Sequence, residues 1–195
     1  MWWLLQMRDD EFLRNKVPMT KSEVRAISID KLELSDKNTF LDIGAGTGSV
    51  SIQAAREFPN LNVTAIEMND AVIDIIKQNI NKFNLHNINL IKRIAPQDIP
   101  NQKYDAIFVG GSGAQLDGII KFASTHLTVN GTIVLNFILF ENAMQVEKLL
   151  TAAGFKKIEM VEVGVLRWHQ LGKGHFFKPN NPTIIVNAKN IERID

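Results

Sequence analysis

The chain has no cysteine, which excludes disulfides, thiolate metal sites and a cysteine nucleophile. Its four histidines, at 86, 126, 169 and 175, fall at no metal-ligand spacing, so no metal site is expected. Excess charge of one sign is also lacking. A net charge of +1 gives no support to a large nucleic-acid footprint, and no nucleic-acid partner is expected. Long hydrophobic runs are missing. Trp2-Trp3-Leu4-Leu5 is soon followed by Arg8, Asp9, Asp10 and Glu11, and nothing reaches the ~18 residues of a membrane span or follows a signal-peptide pattern. The expectation is a cytoplasmic protein off the membrane. Internal repeats and low-complexity linkers are absent as well. The 195 residues, 45% of them hydrophobic, suffice for one domain spanning 1–195 with its own core, residues 1–19 forming an N-terminal arm.

What is present is a glycine turn in a telling setting. Phe40, Leu41 and Ile43 read as a short strand that breaks at Gly44-Ala45-Gly46-Thr47-Gly48. Ser49 to Arg56 reads as a helix, Val63 to Ile66 as the next strand, and Glu67 closes that strand. Glycine lets backbone approach a ligand where a Cβ would collide. A carboxylate at position 67 can accept hydrogen bonds from the ribose hydroxyls of a nucleoside. The spacing is not the G-x-G-x-x-G of dinucleotide sites, because the glycines fall at 44, 46 and 48. Asp42, just before the turn, would oppose a pyrophosphate and suit a ligand carrying an ammonium or sulfonium group. D-x-G-x-G-x-G resembles motif I of the Rossmann-like methyltransferases, which implies S-adenosyl-L-methionine as cofactor.

From Thr39 onward strands and helices alternate. Further strands are expected at 88–91, 106–109 and 132–138, with helices opening at Asp70, near Leu116 and at Glu141. Two last runs, 158–165 and 182–188, read as strands without a helix between them. Near-continuous apolar strands separated by helices imply a mostly parallel sheet covered on both faces, and the last pair implies an antiparallel strand at one edge. This is an α/β, Rossmann-like seven-stranded sheet. Upstream, Thr20-Lys-Ser-Glu23 reads as a capping box that starts a helix bearing Val24, Ile27 and Leu32.

Ligands in such sheets lie at the carboxyl ends of the strands, so the loops 44–49, 67–69, 93–98, 110–114 and 136–141 are the candidates. A backbone amide near Ala95-Pro96 can pair with the adenine edge. After the fourth strand the chain reads Gly110-Gly111-Ser112-Gly113. The Asn/Asp-Pro-Pro-aromatic run of base-amine methyltransferases is missing there, and G-x-S-x-G fails because Ala114 takes the last place. A glycine floor without polar hardware suits a flat, bulky acceptor that brings its own nucleophile. Arg167, His169, Lys173, His175 and Lys178 cluster between the last two strands, either as a solvated face or as a grip for substrate carboxylates.

Several segments together resemble one narrow family: Arg14-Asn-Lys-Val-Pro18-Met19-Thr20-Lys21-Ser-Glu23-Val24-Arg25, Asp42 to Ser51, Gly110 to Gly113, and Asn181-Pro182. They resemble the cobalt-precorrin-6B carbon-15 methyltransferases (decarboxylating) of anaerobic cobalamin synthesis, with Pro18-Met-Thr-Lys-x-Glu-Val-Arg25 the most specific match. The resemblance implies cofactor contacts at Thr20, Gly44, Ala45, Gly46, Thr47, Gly48, Glu67 and Ala95, and a homo-oligomer such as a tetramer. Where relatives often carry Gly-Asp before that alanine, this chain has Arg93-Ile94, which leaves only the backbone contact at Ala95. The acceptor it implies is a polycarboxylated corrin precursor. Gly110, Gly111, Ser112, Gly113, Arg167 and His169 are then its binding residues, with Arg14, Lys16 and Arg25 also facing it. No catalytic acid or base is assigned. Two other readings share the cofactor motif, a methyltransferase acting on RNA or protein and a cofactor-binding protein without turnover.

Overall fold

A computed structural model of the chain describes residues 7–191. Trp2, Trp3, Leu4 and Leu5 lie outside the described residues. The elements run α1 (Ser22–Leu32), β1 (Thr39–Ile43), α2 (Ser49–Glu57), β2 (Asn62–Glu67), α3 (Asp70–Lys82), β3 (Ile88–Lys92), β4 (Tyr104–Val109), α4 (Leu116–His126), β5 (Leu127–Phe137), α5 (Phe140–Ala152), β6 (Lys156–Val163), β7 (Leu166–Leu171), β8 (Gly174–Pro179) and β9 (Thr183–Lys189).

Seven strands form one sheet in the order β3-β2-β1-β4-β5-β9-β6. The first five pair in parallel. β9 runs antiparallel to both β5 and β6, so the antiparallel pairing sits at one edge, as expected. The strands carry apolar side chains on both faces because both are covered. Leu41, Ile43, Ile107 and Val109 pack toward α4 and α5, whereas Phe40, Ala106, Phe108 and Val134 pack toward α1 and α2. A third cluster joins Met7 and Phe12 of the arm to Ile52, Ile80 and Phe83. The chain winds outward from β1 through β2 to β3, then crosses to β4 on β1's other side. That reversal places a crevice at the carboxyl ends of β1 and β4.

Two local expectations are corrected. The capping box does not form: α1 starts at Ser22 with Lys21 at the N-cap, and no side chain caps it. Thr20 instead offers its carbonyl to Arg25 Nη1 at 2.8 Å, while Glu23 accepts from Arg167 at 2.6 Å. The connection between β6 and β9 is a hairpin of its own, β7 paired antiparallel with β8.

Candidate active site

A cavity of about 890 Å³ opens at the strand ends, toward the upper end of the ~300–1,000 Å³ usual for small-molecule sites. Loops after β1, β2, β3, β4 and β5 line it, together with residues 17–21 ahead of α1 and Asn180, Asn181 and Thr183 at the start of β9. Gly44 explains how two of these loops meet. Its φ is +72°, and a Cβ there would fall 2.6 Å from the carbonyl oxygen of Gly111. The turn after β1 and the floor after β4 therefore touch backbone to backbone. Gly111 faces open space, with nothing within 4 Å of where its own Cβ would be.

Among the described residues, Glu67 is the sole acidic one in the cavity lining. Its Oε1 accepts from Met68 N at 2.9 Å and Asn69 N at 3.1 Å, and its Oε2 from Gly46 N at 3.1 Å. Amide donors on both oxygens fix the carboxylate, and Oε2 retains acceptor capacity for a hydroxyl. Thr47 Oγ1, also in the lining, is buried without a partner among the described residues. A held carboxylate, an orphan hydroxyl and a turn with no side chain in the way fit a nucleoside-bearing cofactor.

Asp42 does not reach this cavity, contrary to its expected place beside a cationic ligand. It is fully buried beneath the turn, and its Oδ2 accepts from Ser51 N at 3.2 Å and Ser51 Oγ at 2.5 Å. Gly48, the N-cap of α2, has no side chain to offer, so Asp42 caps that helix from the neighbouring strand. Burial pushes its pKa up to about 7, against the pull of the Ser51 hydrogen bonds.

The precorrin methyltransferase domain matches residues 11–190, nearly the whole chain. This chain belongs to that family. It is 43% identical over 187 residues to a cobalt-precorrin-6B C(15)-methyltransferase (decarboxylating) of Salmonella typhimurium, covering 95% of this chain and 97% of that one. Its fold superposes with a TM-score of 0.89 on a precorrin-6Y C5,15-methyltransferase from Geobacter metallireducens, at 34% identity over 94% of this chain and 96% of the other. A precorrin-8w decarboxylase from Methanobacterium thermoautotrophicum follows with a TM-score of 0.85 and 27% identity, over 93% and 98% of the two chains.

Of the residues expected from the sequence of this family member, Thr20, Gly44, Ala45, Gly46, Thr47, Glu67, Ala95 and Gly110 to Gly113 share the one cavity wall. Gly48 does not: a Cβ there would meet Ile76 and Ile52, and its role is to start α2. Arg167 and His169 also lie outside the lining. Arg167 turns inward to Glu23 at 2.6 Å and Asp9 at 3.5 Å, because two carboxylates lie within its reach. Arg25 is corrected too. It has no exposure and donates to Met7 O at 2.6 Å, Thr20 O at 2.8 Å, Gln53 Oε1 at 2.5 Å and Asp9 at 3.3 Å.

Arg25 thus ties the arm and the Thr20 wall to α2. Asn79 does the same from α3, exchanging hydrogen bonds with Leu13 backbone at 2.8 and 2.9 Å and donating to Thr47 O at 2.9 Å. Neither role is apparent from the sequence alone. The available signal was a polar residue inside an apolar helical stripe, Asn79 beside Ile76 and Ile80, and Arg25 beside Val24.

Proposed function

We propose that this chain transfers a methyl group from S-adenosylmethionine to carbon 15 of cobalt-precorrin-6B and releases carbon dioxide from a ring acetate, in anaerobic cobalamin synthesis in the cytoplasm. The observation that carries the reading is the juxtaposition of the Glu67–Gly46 clamp with the Gly110–Gly113 floor across one cavity. Family membership supports the reaction class. When bound, the cofactor supplies an electrophilic sulfonium methyl. Glu67 would hold its ribose, the 44–47 turn and Thr20 its chain, and the backbone near Ala95 its base.

The remaining task of the protein is alignment and exclusion of water. Glycines at 110, 111 and 113 leave the approach to the donor open, and Ile43, Ile66, Phe108, Phe137 and Ile138 line the cavity with apolar surface. An electron-rich macrocycle can itself supply the attacking carbon, so the reading assigns no side-chain nucleophile. We also infer self-association, since the β7–β8 hairpin presents large apolar side chains to solvent.

The test is to supply cobalt-precorrin-6B with labelled S-adenosylmethionine and measure both products. Methylated, decarboxylated corrin with stoichiometric carbon dioxide is expected. Gly111→Val, which meets no protein atom at its Cβ, should abolish turnover while cofactor affinity stays within a few-fold. Methylation of RNA or protein in place of the corrin, or normal turnover by Gly111→Val, would overturn the assignment.

A further inference from the structure

The cavity lining is polarised. Among the described residues of the lining, the one carboxylate, Glu67, stands at the end of β2, and only Lys21 and Arg93 carry a positive charge. Arg93 belongs to the loop after β3, beside Glu67's strand. Lys21 stands at the N-cap of α1, which packs over β5 and β9.

The surroundings of Lys21 leave it short of negative charge. One carboxylate, Asp9, and three guanidiniums, of Arg14, Arg167 and Arg25, act on it. Asp9 is itself shared: it lies 3.3 Å from Arg25, 3.5 Å from Arg167 and 3.8 Å from Lys21, so the lysine has the loosest hold. Glu23 is taken by Arg167 at 2.6 Å. Burial pushes the Lys21 pKa down, only partly offset by Asp9.

Two side-chain amides line the same cavity. Asn180 is anchored at the hairpin base, where its backbone N donates to Val165 O at 2.9 Å, and its Nδ2 is buried with no acceptor. Asn136, near the end of β5, donates from Nδ2 to Ser28 Oγ at 3.0 Å, which leaves a second hydrogen on that nitrogen free. An ammonium and two amides with unfilled donor capacity, on a wall without a carboxylate, are a complement to an anion with several acceptor sites.

We propose that Lys21, Asn136 and Asn180 form the subsite that grips a carboxylate of the acceptor, the role that Arg167 is not free to play. The inference rests on the reading of this chain as an enzyme acting on a polycarboxylated macrocycle. The subsite orients the macrocycle over the Gly110–Gly113 floor within the same cavity. Using amides for part of the grip lets the wall hold the acid without piling more charge onto a cluster already rich in guanidiniums.

The experiment compares wild type, Lys21→Met, Lys21→Arg and Asn180→Leu in two measurements. The first is the affinity for S-adenosylhomocysteine by calorimetry. The second is binding of uroporphyrin, a polycarboxylate tetrapyrrole, to the protein saturated with S-adenosylhomocysteine. Lys21→Met should weaken uroporphyrin binding by roughly tenfold or more, the loss expected of a charge-assisted contact, and flatten its salt dependence. S-adenosylhomocysteine affinity should stay within about twofold. Lys21→Arg should restore most of the uroporphyrin affinity, and Asn180→Leu should weaken it several-fold. Equal losses for both ligands in Lys21→Met would overturn the inference by assigning the cation to the cofactor's own carboxylate. Unchanged uroporphyrin binding in Lys21→Met would overturn it outright. Neither result bears on whether wild type turns over cobalt-precorrin-6B, so failure of the subsite and failure of the proposed reaction are told apart.

Discussion

At the scale of single residues, Asp42 is the group most at odds with its setting. A carboxyl held at a pKa of about 7, against 3.8 for an ordinary one, binds its proton more tightly in the folded chain than in the unfolded one. Its contribution to stability is complete below pH 4. As pH rises toward 7 the unfolded carboxyl ionises freely while the buried one resists, so that contribution is lost. Asp42→Asn keeps an oxygen for Ser51 and removes the titration. Thermal denaturation from pH 4 to 8 should therefore show the variant with a flatter profile than wild type over this window, and parallel profiles would refute the assignment. Lys37 does not confuse the measurement. Burial depresses its pKa to about 8 from 10.5, so its effect falls above pH 8, where stability is gained as pH rises. Glu67 is held by backbone amides on both of its oxygens.

At the scale of elements, α1 carries more of the site than its sequence advertises. Arg25 makes a single knot of the arm, the Thr20 wall and α2, and its guanidinium lies 4.9 Å from the Phe12 ring centre. Arg25→Ala would leave carbonyls of Met7 and Thr20 and the Gln53 amide oxygen without their donor. A loss of about 3 kcal/mol or more in chemical denaturation is expected. Arg25→Lys should recover little of it, because one ammonium cannot reproduce the fork. The alternating strands and helices from β1 to α5 were legible in the sequence, since each is an apolar run closed by a glycine, proline or polar break, and so was the glycine turn. The β7–β8 hairpin was not, because Leu166 to Pro179 interleaves charge and aromatics in place of a regular apolar alternation, which hides the two-residue Gly172-Lys173 loop that joins its strands. The direction of Arg25 and Arg167 was hidden for another reason. Sequence spacing reports charge, but not which carboxylate the fold brings beside it.

At the scale of the whole molecule, the hairpin is the odd member. Among the described residues it joins the seven-stranded sheet by no strand pairing, and Trp168, Leu171 and Phe177 are 62%, 68% and 59% exposed. An isolated two-stranded ribbon is marginal in water, and so large an apolar display asks for a partner surface. Light scattering should find wild type as a homo-oligomer. Trp168→Glu combined with Leu171→Glu should shift it to a smaller species with its far-ultraviolet circular dichroism preserved, and a wild-type monomer would contradict the inference. The backbone contact between Gly44 and Gly111 bears on a different matter, the plasticity of the scaffold. The turn after β1 and the loop after β4 abut through peptide planes, which have no rotamers to sample, so neither can adapt by repacking. Any effort to re-aim this catalyst at a new acceptor has its entry point at position 111, where added volume meets open space. Position 44 is closed to such diversification, since even one methyl group there would push the two halves of the site apart.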